Sequence, residues 1–127
     1  MGWEPYSLDQ IAHNLVFEFH TTEARNQAYK MRAAVAYGLE RFWGEQLRLD
    51  GDKARFWQET WQSLGDIMGR AGVALPTIDA NPEDLWNFPI EQRKVTLAVL
   101  MQLCDSIVWW TQRYKGTDSN DGDETDG

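Results

Sequence analysis

Hydrophobic and polar positions follow a helical period along nearly the whole chain. Leu8, Ile11, Leu15 and Phe19 recur at three- and four-residue spacing, which lines one face of an α-helix. Ser7-Leu8-Asp9-Gln10 has the capping-box pattern, so the first helix is expected to begin at Ser7. His20-Thr21-Thr22 interrupts it, and Thr22 is placed to cap a second helix with Glu23 in its first turn. Ala24, Ala28, Met31, Val35, Gly38 and Phe42 then repeat at four-three spacing. This predicts one long helix, the longest of the chain, from Glu23 to Leu49, with a heptad-like seam. Ala28 and Gly38 let a neighbouring helix approach that seam closely.

Asp50-Gly51 ends that helix, and Asp52 is the expected cap of a third. Phe56, Trp57, Thr60, Trp61, Leu64, Ile67, Met68 and Ala71 form its wide apolar face, and Gly72 stops it. Val73 to Ala80 contains Pro76 and reads as an extended loop. Asn81-Pro82-Glu83-Asp84 starts a short helix, with a cap, a proline at the first position and acids behind it. A final helix runs from Pro89 to Tyr114. Between Val95 and Trp110 it is apolar almost all round, which predicts the buried centre of a bundle. Gln102, Asp105 and Ser106 interrupt it too often for a membrane span. No stretch alternates with period two for long. The pattern therefore predicts an all-α protein: a single helical bundle of about five helices over residues 1–115, and a disordered acidic tail over 116–127.

Charge sharpens this picture. The 127 residues carry a net charge of −8, but unevenly. The tail from Gly116 has five acids and no base, and residues 1–24 have four acids and no base. Residues 25–55 hold seven basic residues against four acidic ones. An acidic protein thus contains a local basic zone. On a continuous second helix, Lys30, Tyr37, Arg41 and Arg48 fall on one side, away from the seam. A tyrosine between cations suits a base stacked on the ring with phosphates held beside it. Lys53 and Arg55 are expected to extend this stripe across the turn. The plain alternative is a solvated outer face, with Glu40 and Glu45 beside it. Arg93 and Lys94 form a smaller basic spot that Glu91 can neutralise locally.

A triplet repeats across the same turn. Arg41-Phe42-Trp43 and Arg55-Phe56-Trp57 stand fourteen residues apart. Adjacent helical residues diverge by about 100°, so two neighbouring rings do not both face one core. The same holds for Trp109-Trp110. Trp43, Trp57 and Trp110 are accordingly expected at grooves or partner surfaces, where tryptophan is enriched.

Catalytic and metal chemistry find little support. His13 and His20 share a helix face but lie two turns, about 10.5 Å, apart along the axis, too far to bind one zinc ion together. Neither has a glutamate three positions before it, as bundle di-iron sites require. The single cysteine, Cys104, sits in an apolar run without a nucleophile signature and reads as a small core residue. No phosphate loop or calcium loop is present. The expectation is no catalytic residue, no metal and no cofactor. The N-terminus lacks a secretory pattern, and with one cysteine this points to the cytoplasm.

The segment Tyr29-Lys30-Met31-Arg32-Ala33-Ala34-Val35-Ala36-Tyr37-Gly38-Leu39-Glu40-Arg41 resembles the early helix of the small helical subunits of CRISPR effector complexes. Leu97-Ala98-Val99-Leu100, with Trp110 and Arg113 after it, is similar to their final helix. The resemblance covers about thirty residues. It implies a non-catalytic all-α subunit of a nucleoprotein complex that touches RNA or DNA backbone through Lys and Arg. The chain departs from that family in its acidity, its additional first helix and its tryptophan content. Expected partners are protein subunits of a larger assembly and a nucleic-acid backbone, with no membrane, and a homo-oligomer is left open. The alternative is a protein–protein adaptor or inhibitor of phage or mobile-element type, acting through acidic and Trp-rich surfaces. A small helical enzyme would need His13, His20 or Cys104 in one pocket.

Overall fold

The computed structural model describes residues 5–118, with side chains over 7–115. Six α-helices occur among them: α1 (Pro5–Phe19), α2 (Gln27–Ala34), α3 (Leu39–Arg48), α4 (Gly51–Arg70), α5 (Pro82–Trp86) and α6 (Ile90–Asp118). Two 3-10 turns, Glu23–Asn26 and Val35–Tyr37, lead into α2 and out of it. The described residues contain no strand, so the all-α bundle expected from periodicity is what forms.

Several helix ends follow from their sequence signals. The Thr22 hydroxyl accepts a hydrogen bond from the Ala24 N–H and caps the first 3-10 turn. Gly72, at φ +86°, closes α4 while the Val73 N–H reaches back to the Met68 carbonyl at 2.8 Å. The Asp84 carboxylate accepts from the Asn81 N–H at 3.1 Å, and Pro82 fills the first position of α5. Two ends differ by a step. α1 begins at Pro5 rather than Ser7, and Asp50, not Asp52, occupies the cap position of α4.

The long second helix is not one helix. Gly38 stands at φ 101°, ψ 172°, a conformation side chains rarely adopt. Val35–Tyr37 tightens into the 3-10 turn before it, and α3 resumes at Leu39. Glu23 to Leu49 is therefore an elbow of two helices, and α6, with 29 residues, is the longest element.

α4 crosses the middle of the fold, packing against α1, α2, α3 and α6. Its buried face is Phe56, Trp57, Thr60, Trp61, Leu64, Ile67 and Met68. Phe42 of α3 meets Trp57 with ring centroids 4.7 Å apart, and Phe19 of α1 stacks on Phe56 at 4.8 Å. The two triplets thus close the α3–α4 hairpin with their rings. Both rings of each pair are buried, contrary to the expectation for Trp43 and Trp57. The outer side is covered by the segment between α4 and α5. Trp43 Nε1 donates to the Thr77 carbonyl at 3.3 Å, and Trp61 Nε1 donates to the Pro76 carbonyl at 2.8 Å. Burial of each indole is thereby compatible with a bonded N–H.

α6 packs on α1, α2 and α4 through Thr96, Leu100, Leu103, Cys104, Ile107 and Thr111. Its opposite side, including Val95, Ala98, Met101 and Trp109, faces solvent. The expected buried centre is therefore a half-covered helix whose outer face also carries apolar residues. The first three residues of the expected disordered tail, 116–118, continue α6. Positions 119–127 lie outside the described residues.

Candidate functional site

The elbow at Gly38 shapes the surface where the basic zone lies. The 3-10 turn pushes Tyr37 outward to 69% exposure. Ala33 and Ala34 leave a shallow depression behind it, with the buried Trp57 of α4 beneath. Lys30 comes from α2, and Arg41, Glu45 and Arg48 come from α3. Together these residues line a groove of about 200 Å³.

Its electrostatics are those of three cations around one acid. Glu45 holds both arginines: Arg48 Nη2 and Nε lie 2.5 and 3.0 Å from Oε1, and Arg41 Nε lies 3.5 Å from Oε2. The Arg41 guanidinium also sits 5.0 Å from the centroid of the Tyr37 ring, a cation–π distance. Lys30 is exposed and has no ion-pair partner among the described residues. The groove falls below the roughly 300 Å³ at which drug-sized pockets begin.

Lys53 and Arg55 do not join this groove. Lys53 pairs with Glu23 at 3.7 Å. Arg55 turns toward α1 and binds Glu18 at 2.9 Å, with Asp52 and Glu59 of its own helix each at 3.2 Å. Its guanidinium also lies 5.1 Å over the Phe19 ring. Asp52 and Glu59 stand three and four residues away on the same helix, so local pairing takes Arg55 out of the stripe. Glu59 is held above the ordinary carboxyl range, first by burial and then by the neighbouring Glu18 carboxylate. Arg93 is also structural. It donates to Glu40 at 2.8 Å and to the Leu85 carbonyl, tying α6 to α3 and α5.

The aromatic residues are redistributed. Trp43 and Trp57 belong to the core. Trp110 is half-buried; its Nε1 donates to Asp9 at 3.1 Å, and its ring packs edge-on against His13 at 4.5 Å. Its neighbour Trp109 is the exposed one of the pair, with the Arg113 guanidinium 3.9 Å over its ring. Trp86, 78% exposed at the end of α5, escaped sequence reasoning altogether. A five-residue helix has too few positions for periodicity to reveal its outer face.

The histidines share a neighbour. His13 Nε2 lies 3.0 Å from the Tyr114 hydroxyl, and His20 packs on the same ring at 4.7 Å while its Nδ1 donates to the Phe17 carbonyl at 2.6 Å. Among the described residues, no three His, Cys, Asp or Glu side chains are grouped to hold a metal ion. Cys104 is buried on the core side of α6, and burial pushes its thiol well above the ordinary range. A thiol held in that form is a poor nucleophile. No helix among the described residues is long and apolar enough to cross a membrane.

No protein-family model matches this chain, and neither does any curated protein or solved structure.

Proposed function

We propose that this protein is a non-enzymatic helical binding subunit of a larger assembly, and that the elbow groove contacts a nucleic-acid backbone. The observation that carries this reading is the convergence of Lys30, Arg41 and Arg48 on the exposed Tyr37. Glu45 offsets one of the three positive charges and orients two of them. Phosphates then meet the guanidinium edges and Lys30, while an unstacked base lies on the tyrosine. The overall negative charge keeps non-specific attachment to polyanions weak, so contact is confined to this locus. In this reading, the resemblance of Tyr29 to Arg41 supports a subunit of an RNA-guided nucleoprotein complex acting in the cytoplasm.

Fluorescence anisotropy with a labelled single-stranded RNA tests this reading. Three phosphate contacts predict a log–log salt slope of about −2. A slope of zero, or no binding at low salt, overturns it.

A second reading is favoured by the exposure of Trp86 and Trp109: an adaptor or inhibitor that docks on another protein through aromatic and acidic surfaces. Deleting residues 116–127 weakens partner capture under that reading; under the first it removes five acids and leaves RNA binding intact or stronger.

A further inference from the structure

The outer face of α6 is unpartnered, and its side chains are arranged to meet their own copies. Ile90, Val95, Met101 and Trp109 are exposed to 64%, 53%, 40% and 45%. Lys94, Ala98, Met101 and Asp105 follow one another at four-three-four spacing along this face, the seam spacing of a two-helix coiled coil. Among the described residues, Arg32 takes one oxygen of Asp105. Lys94 has no ion-pair partner among the described residues.

We propose that α6 forms an antiparallel two-fold homodimer with α6 of a second copy of this chain. The register is centred between Val99 and Leu100. Ala98 of each copy then meets Met101 of the other, small against large. Lys94 meets Asp105 at both ends of the seam. Ile90 comes level with Trp109, joining the exposed apolar residues at the two flanks. The charges select this arrangement. A parallel pair sets Lys94 against Lys94 and Asp105 against Asp105. A one-heptad slip sets Lys94 against Ala98 or Gln112 and loses both ion pairs. An isologous contact requires this reciprocity, residue i on j and j on i. The α6 face is about 30 Å long over these residues, and its dimer stands on evidence separate from that of the elbow groove.

Sedimentation velocity on the full chain across a concentration series tests the proposal. The wild type is expected to dimerise reversibly. Lys94→Asp and Asp105→Lys each create like-charge pairs and are expected to weaken the dimer by about tenfold or more. An equimolar mixture of the two variants is expected to associate again, because each heterodimer restores both opposite-charge pairs. Asp105→Lys also loses Arg32, so Ala98→Glu, a substitution at an exposed site in the middle of the seam, serves as an independent disruptor. A wild type that stays monomeric throughout overturns the proposal. So does a dimer insensitive to Lys94→Asp and Ala98→Glu, or a variant mixture of folded proteins that fails to associate.

Discussion

The Trp57 indole N–H donates to the buried Gln27 side-chain carbonyl at 2.9 Å, fastening the first half of α4 to the first residue of α2. Removing the acceptor leaves a buried donor unpaired. Gln27→Leu is expected to destabilise the fold by about 1–3 kcal/mol. Urea unfolding checks this. An unchanged or raised midpoint contradicts the role given to this pair.

Gly38 makes the elbow, and its φ of 101° admits a side chain only with strain. Gly38→Ala is expected to cost about 1–3 kcal/mol. Gly44 lies inside α3 with open space where a Cβ would stand, so Gly44→Ala is expected to raise stability by up to about 1 kcal/mol. Thermal melts of the two variants should move in opposite directions.

Sequence signals located helix ends better than they located long-range cover. Thr22, Gly72 and Asn81-Pro82 act on backbone groups within a few residues, so their effects are written locally. Gly38 misled because a glycine on a four-three seam suits both a close helix contact and a break. The apolar spacing of Val35 and Phe42 continues across the bend, so periodicity carries no trace of it. Trp43 and Trp61 are buried because the 71–81 segment lies over them, a relation set by tertiary folding. Lys30, Tyr37, Arg41 and Arg48 do share a groove, although the helix expected to align them is broken. Arg55 leaves the stripe because Asp52 and Glu59 pair with it along its own helix, which is legible in the sequence, and because Glu18 of α1 lies within reach, which is not.

The carboxylate network around Arg55 has a definite pH signature. Glu59 holds its proton more tightly in the folded state than its ordinary value of 4.5 implies. Its stabilising share is therefore present below that value and lost as pH rises through the raised native one. Glu59→Gln is expected to leave stability at neutral pH unchanged or slightly higher, by no more than about 1 kcal/mol. It should also flatten the loss that the wild type shows as pH rises above the ordinary carboxyl range. Urea midpoints across mildly acidic to neutral pH check the sign; a variant less stable at neutral pH contradicts it.

Cys104 is buried, with its thiol pushed up, so alkylating reagents should reach it only through unfolding. For a domain stable by about 5 kcal/mol, native labelling should be slower than labelling in denaturant by a factor of roughly several thousand. Rapid labelling of the folded protein contradicts the packing described for α6.

The most direct measurement of the central claim compares two lysines changed in the same way. Lys30→Glu alters the elbow groove, whereas Lys53→Glu makes an identical change of net charge at a lysine already paired with Glu23. Each is titrated with the same single-stranded RNA over a range of salt. Lys30→Glu is expected to weaken binding by about tenfold and to make the salt slope shallower by about one. Lys53→Glu is expected to leave both within error. Equal losses from the two variants, or none from Lys30→Glu, would contradict binding at the groove.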